Sequence, residues 1–205
     1  MNMKQCFHQY LDNPSLFNFV RDMLDGGRIE HISRILAGIP HKRVVDIACG
    51  TGDVSRAVRA DVEYVGIDIS ESFIAYAESR YGGPQRKFMV MDVANIRLPR
   101  KSFDLAMLVS VIHHFNDQEV IQMFMQASEL TTDYILVIDA IPRRNLISRL
   151  FYALDRGAHF RTLGDQRSLV NDTKYLQLVL EDSFESTSKI YTHSVLLGRL
   201  TNGGS

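Results

Sequence analysis

Cysteine is scarce in this chain: only Cys6 and Cys49 occur in 205 residues. Two thiols build neither a disulfide scaffold nor a cysteine-rich metal site, and they fit a reducing compartment. Net charge is nearly absent as well, with 23 Lys and Arg set against 24 Asp and Glu. No overall field therefore draws in nucleic acid. No apolar run approaches the roughly 20 residues that span a bilayer. The opening "MNMKQCFHQY" also lacks the apolar core of a secretory signal. Together these absences predict a soluble, cytoplasmic protein. What is present is a composition 45% apolar and 23% charged, enough for one globular domain with a full core.

Along the chain, strand and helix signals alternate. The segments "PSLFNFVRDML" (14–24) and "RIEHISRILAG" (28–38) set apolar side chains at helical spacing, with Gly26–Gly27 between them and Pro40 ending the second. Five apolar stretches then read as strands: "RVVDIA", "EYVGID", "RKFMVMD", "FDLAMLVSVI" and "DYILVIDA". Between them, "DVSRAV" starts a helix, "SESFIAYAESRY" is a helix capped by Ser70, and "NDQEVIQMFMQASEL" opens with Asn116 and Glu119 at capping-box spacing. Strands apolar throughout and alternating with helices predict a parallel sheet covered on both faces. Ligands of such sheets bind at the carboxyl ends of the strands. The chain divides into a helical lid (1–40), a cofactor-binding core (41–140), a helical insertion capping an acceptor pocket (141–183), an antiparallel hairpin (184–200) and a flexible tail (201–205).

The stretch "VVDIACGTGD" (44–53) carries the chemistry. Glycines after a buried strand let a nucleotide approach the backbone, but two phosphate-binding patterns are incomplete here. A dinucleotide loop, G-x-G-x-x-G, needs a third glycine where this chain has Ser55, and a P-loop needs a lysine that "GDVS" lacks. Acids stand out instead: Asp46 before the turn, Asp53 after it, and Asp68 at the end of the next strand. Asp68 lies 16 residues beyond Gly52, about where an acid meets a ribose diol, and Asp92 is placed to accept from an adenine amino group. An adenosine carrying positive charge suits this acidic surround better than one carrying phosphates.

Taken in order, "VVDIACGTGD", "YVGIDIS" and "MDVANIRLPRKSFDLAMLVSVIHHF" resemble the class I S-adenosylmethionine-dependent methyltransferases, nearest the small-molecule group that includes quinone-biosynthesis enzymes. The resemblance implies an α/β, Rossmann-like, seven-stranded and mostly parallel sheet in the order 3-2-1-4-5-7-6, its last strand antiparallel, with helices on both faces. It implies S-adenosylmethionine as cofactor, S-adenosylhomocysteine as product, and direct SN2 displacement onto a small-molecule acceptor. For matching positions it implies Gly50 and Gly52 beside the methionine part, Asp68 on the ribose hydroxyls, and Asp92 near the adenine. Ile69 matches the residue packed on the adenine face and Val93 the backbone neighbour of Asp92, while Asp46, Ala48 and Val109 complete the cofactor set. Ala48 stands where the family often has glycine, which is tolerable if its backbone torsion is ordinary. Asp46 either reaches the cofactor or hydrogen-bonds the amides of the turn. Cys49 reads as a small buried residue rather than a nucleophile.

His113 and His114 follow the fourth strand, where the methyl group should point. A histidine there can take a proton from an attacking hydroxyl. The plainer alternative is a ring that packs and hydrogen-bonds its loop, since alignment alone accelerates transfer to a good nucleophile. Tyr10, in the lid, is placed to face the sulfonium with its ring. The segment "PRRNLISRLFYALDRGAHFRTLGDQR" carries six arginines and no lysine. That composition is either a solvated face or a set of planar anion-binding groups, with Arg144, Arg156 and Arg161 as candidates for an anionic or amphipathic acceptor. Base-methylating enzymes carry Asn/Asp-Pro-Pro-Tyr/Phe where this chain reads "LVSVIHHF", which disfavours nucleic acid as acceptor. No metal site is expected, because Asp139 is the only further acid at a strand end. The competing classes are a non-catalytic S-adenosylmethionine-binding subunit, an RNA or protein methyltransferase, and a nicotinamide oxidoreductase.

Overall fold

A computed structural model describes residues 13–142 and 159–201. Local chemistry explains where its helices start. Asn13 accepts from the amides of Ser15 and Leu16, with Pro14 in the first turn, to open α1 (Pro14–Leu24). The next helix is α2 (Arg28–Ala37). Ser70 caps α3 (Glu71–Tyr81) through the Phe73 amide. Reciprocal capping boxes open α4 (Asp117–Leu130), from Asn116 and Glu119, and α5 (Leu163–Asp172), from Thr162 and Asp165.

The strands are β1 (Arg43–Ile47), β2 (Glu63–Asp68), β3 (Arg86–Val90), β4 (Phe103–Val109), β5 (Thr131–Ile141), β6 (Leu176–Glu185) and β7 (Thr192–Leu200). They form one sheet in the order β3-β2-β1-β4-β5-β7-β6. The pairs from β3 to β5 are parallel, and β7 runs antiparallel to both β5 and β6. Successive strand residues point to opposite faces, so the sheet feeds two cores. Val44, Leu105, Met107, Leu136 and Ile138 pack under α2 and α3 with Ile32, Leu36 and Ile74. Val45, Ile47, Ala106, Leu108 and Val137 pack under α4 and α5 with Val120, Phe124, Ala127 and Leu169. No helix among the described residues is long and apolar enough to cross a membrane.

Two boundaries differ from the sequence reading. The helix expected from "DVSRAV" is a single 3₁₀ turn, Asp53–Ala57, stopped where Val58 becomes extended. The hairpin starts at Leu176 rather than 184, so the stretch assigned to a helical insertion ends in strand β6. β6 is an edge strand, mostly exposed, so its alternation is diluted by Glu181, Asp182 and Ser183. The expected tail falls largely outside the described residues.

Candidate active site

A cleft of about 370 Å³ opens where β1, β2, β4 and β5 end, with Phe17, Val20 and Leu24 of α1 along one wall. Gly50, Ala48, Asp68 and Val109 line it. The Asp68 carboxylate is held by two backbone amides, Gly50 to Oδ2 at 2.8 Å and Ser70 to Oδ1 at 2.9 Å. Each oxygen keeps acceptor capacity beyond its one amide. Gly50 has φ +55° and nothing within 4 Å of where a Cβ would stand, which leaves its backbone open to a ligand.

Gly52 does something else. It is absent from the cleft lining, and a Cβ there would sit 2.6 Å from Phe88 Cε1 and 2.7 Å from the Ala77 Cβ. It lets β3 and α3 close on the turn, the packing role that the missing third glycine would have had. Ala48 also departs from expectation, with φ +60°. The left-handed region costs a Cβ-bearing residue roughly 1–2 kcal/mol. The next amide, Cys49, is bonded to Ile67 O at 2.9 Å, and this tie to β2 helps hold the turn. Burial pushes the Cys49 thiol well above its ordinary range, which removes it as a nucleophile.

Asp46 lies outside the cleft and does not bond the turn amides. Its Oδ2 accepts from the Tyr64 hydroxyl at 2.6 Å, and both side chains are buried. Burial pushes the Asp46 carboxyl up to about 7, although the Tyr64 hydrogen bond pulls the other way. An acid whose folded pKa is raised stabilises the fold at low pH, and that contribution is lost as pH rises through the folded value. Asp46→Asn should therefore gain about 2–3 kcal/mol relative to the native chain between pH 5 and pH 8. Urea midpoints at the two pH values check this; a constant difference between the proteins would refute it.

A chain of buried charge joins the turn to the N-terminal helices. Asp53 pairs with Arg21 and Arg28, each at 2.8 Å, and Arg28 also reaches Ser110 Oγ at 3.1 Å and Asp25 at 3.5 Å. Burial raises the Asp53 carboxyl, but the two guanidinium groups outweigh it and hold the group low. Burial lowers Arg28 in turn, and Asp53 and Asp25 more than restore it. Arg21, with less compensation, is pushed down. Its Nε is buried with no hydrogen-bond partner among the described residues.

On the far side, the loop after β4 presents His113 and His114 to the same cleft. His113 is buried, with Nδ1 2.5 Å from Asp139 Oδ1 and its own amide donating to Asp139 Oδ2 at 3.0 Å. Burial raises the Asp139 carboxyl, but His113 and the amides of Ala140 and His113 together hold it low. The His113 ring also stacks on Phe160, centroids 4.9 Å apart. A carboxylate on Nδ1 fixes the neutral tautomer with Nε2 as the basic nitrogen.

Arg161 is not an acceptor ligand. Its Nε and Nη2 hold Asp117 at 2.8 and 2.7 Å, and its remaining donors go to the carbonyls of Ile112, Phe115 and His159. All five N–H groups are spent within the fold, two of them on carbonyls of the loop that carries His113. Asp92 is exposed, with one oxygen accepting from the Ala94 amide at 2.9 Å, and is not in the cleft. Val93 is half-buried against the α4 side of the sheet, and Ile69 is 68% exposed beside Asp68. Tyr10, Arg144 and Arg156 lie outside the described residues. The cleft thus brings together Ala48, Gly50, Asp68, Val109, His113 and His114. Arg21, Arg28, Asp25 and His193 also line it, and Asp139 holds His113 from behind; the sequence reading assigned none of these to the site. One signal was available for Arg21, which falls on the apolar face of α1 between Phe17 and Leu24.

A family described as "Methyltransferase domain" matches residues 44–133. A ubiquinone biosynthesis O-methyltransferase of Rhodopseudomonas palustris is 28% identical over 110 residues, covering 51% of this chain and 42% of the relative. Phosphoethanolamine N-methyltransferase 3 of Arabidopsis thaliana is 25% identical over 161 residues, covering 74% of this chain and 32% of the relative. The chain thus spans less than half the length of these curated relatives. Magnesium protoporphyrin IX methyltransferase from Synechocystis PCC 6803, solved with bound S-adenosylhomocysteine, superposes with a TM-score of 0.70 at 18% identity, covering 97% of this chain and all of that one. Residues 44–133 thus match a methyltransferase domain, and the sheet order β3-β2-β1-β4-β5-β7-β6 is carried on a fold shared with a solved methyltransferase.

Proposed function

We propose that this chain binds S-adenosylmethionine in the cleft and methylates a hydroxyl group of a small, largely apolar molecule. The observation that carries the reading is the His113–Asp139 pair facing the same cleft as Gly50 and Asp68. The cleft fits the cofactor on its own chemistry. Asp68 has acceptor capacity for a ribose diol, and Ile69 beside it offers an exposed apolar face for the base. Gly50 leaves room at the backbone, and Arg21 brings a guanidinium to the cleft lining for a carboxylate. When bound, S-adenosylmethionine supplies an electrophilic methyl on a sulfonium centre.

The protein's own part is to position and deprotonate. Asp139 holds the His113 ring, whose Nε2 takes the acceptor's hydroxyl proton, and the resulting imidazolium stays paired with the buried carboxylate. Phe17, Phe73, Phe115 and Tyr191 give the cleft an aromatic lining that favours a compact apolar acceptor and keeps water from competing. Relatives named for ubiquinone biosynthesis and for a porphyrin support a small-molecule acceptor. An anionic preference would rest on Arg144 and Arg156, because Arg161 is committed elsewhere. A non-catalytic subunit would not require a carboxylate-oriented histidine in the cleft.

Titration calorimetry with S-adenosylhomocysteine tests the reading. The native chain should bind it, and Asp68→Ala should weaken binding by about 10–100-fold, the worth of a lost charge-assisted hydrogen bond. Binding of NADH without binding of S-adenosylhomocysteine would overturn it.

A further inference from the structure

Two neighbouring strands run into the cleft through a left-handed residue that is not glycine. β1 leads into Ala48, with φ +60°, and β4 leads into Ser110, with φ +56°. Ser110 lines the cleft, is half-buried, and ties its amide to Ile138 O on β5 at 2.7 Å. A left-handed torsion is unfavourable for a residue with a Cβ, and such positions gather at functional sites whose surroundings hold them in place. From this turn the chain enters the loop of His113.

The Ser110 hydroxyl is held from one side. Its Oγ accepts from Arg28 Nη1 at 3.1 Å, and Arg28 is itself fixed by Asp53 at 2.8 Å and faces Asp25 at 3.5 Å. Arg28 lines the cleft too, so this hydrogen bond runs along its wall. A guanidinium only donates, which leaves the Ser110 proton unused by it. Among the described residues no acceptor takes that proton. A cation on the oxygen polarises the O–H bond and strengthens its own donation.

In the sheet order β4 stands between β1, which leads into the glycine turn, and β5, which carries Asp139. Ser110, at the end of β4, therefore stands between the Gly50 side of the cleft and the His113–Asp139 pair. For methyl transfer, that seam is where the acceptor oxygen meets the methyl group. We infer that Ser110, backed by Arg28, donates a hydrogen bond to the acceptor oxygen and stabilises the negative charge that grows there as His113 takes its proton. This rests on the reading of the cleft as a hydroxyl-methylating site. The acceptor's proton ends on His113 Nε2, an oxygen lone pair forms the new O–C bond, and the electrons of the broken S–C bond stay on sulfur. Ser110 keeps its own proton throughout. A donor already aimed at a developing oxyanion needs no reorganisation as the charge appears. The acceptor class this favours is an acidic hydroxyl such as a phenol, whose oxygen carries much of its charge before transfer.

The test uses the full chain saturated with S-adenosylhomocysteine, with 4-nitrophenol as probe, because its phenolate form is coloured and reports ionisation without turnover. Binding to the native chain should shift the probe towards phenolate. Ser110→Ala should cut the bound phenolate-to-phenol ratio by about tenfold, the worth of one charge-assisted hydrogen bond. Ser110→Asn should restore most of it. Asparagine tolerates the left-handed torsion, accepts from Arg28 through its carbonyl and donates through its amide. Affinity for S-adenosylhomocysteine should match native in both variants, since neither alters the Asp68 end of the cleft. Equal phenolate ratios in the native chain and Ser110→Ala, an asparagine variant no better than alanine, or failure of the saturated native chain to bind the probe overturns the inference. Failure of the native chain to bind S-adenosylhomocysteine would instead strike the methyl-transfer reading beneath it.

Discussion

Gly52→Ala is expected to destabilise the protein by about 3–5 kcal/mol, whereas Gly50→Ala, two residues earlier, should cost only about 1–2. Both glycines have positive φ, +75° and +55°, so each substitution pays the left-handed penalty. Only Gly52 adds a collision, with the Phe88 ring at 2.6 Å and the Ala77 Cβ at 2.7 Å. Phe88 sits on β3 and Ala77 on α3, both buried in the core under α2 and α3, so neither yields without opening the packing. For a chain of this size each kcal/mol lowers Tm by about 2–4 °C, which predicts a fall of about 6–20 °C for Gly52→Ala. Cofactor binding should respond in the opposite order. Gly50→Ala places a methyl in the cleft and should weaken S-adenosylhomocysteine more than Gly52→Ala does at a temperature where both are folded. Thermal melts with calorimetry separate the two. Equal melting temperatures would mean that the turn relaxes around Gly52 and that its packing role is wrong.

The parts of this molecule legible in the sequence are those set by near neighbours. The capping box of Asn116 and Glu119 spans three residues, and Ser70 caps its helix from the adjoining position, so spacing was enough to find both. The parallel sheet followed from apolar strands, but its order came through family likeness, because pairing is long-range and periodicity does not encode it. The torsion of Ala48 was hidden for the same reason: the turn is tied by a hydrogen bond from Cys49 to Ile67 on the neighbouring strand. Asp139 was visible as an acid at a strand end, yet its partner His113 lies 26 residues away, and Asp25 and His193 are separated by 168. Arg161 misled because an arginine-rich run reads as a surface. Its donors are used on carbonyls of a loop up to 49 residues distant, which composition cannot reveal. Much of the cofactor half of the cleft is thus local in sequence, while the acceptor half is assembled by topology.

That division makes the His113–Asp139 pair the decisive object for activity. His113→Ala should lower kcat for a hydroxyl acceptor by about 10²–10⁴, the usual worth of a positioned general base. Asp139→Asn should lose a comparable factor for a different reason. An asparagine amide can donate to Nδ1, which moves the ring proton to Nε2 and turns the base into a donor. Such losses could equally come from a collapsed loop, since Asp139 also holds the His113 amide and Arg161 holds the adjoining carbonyls. The discriminating measurement is a second acceptor that needs no base. Thiophenol is already a thiolate at pH 8, so its methylation should fall by less than about tenfold in both variants. S-adenosylhomocysteine affinity should stay within about twofold, because neither side chain belongs to the Asp68 end of the cleft. Release of S-adenosylhomocysteine with catechol and with thiophenol, followed for the native chain and both variants, gives the comparison. A selective loss on catechol identifies His113 as the proton acceptor oriented by Asp139. An equal loss on both acceptors would make the pair a brace for the loop, and the methyl acceptor would then have to arrive as a nucleophile already.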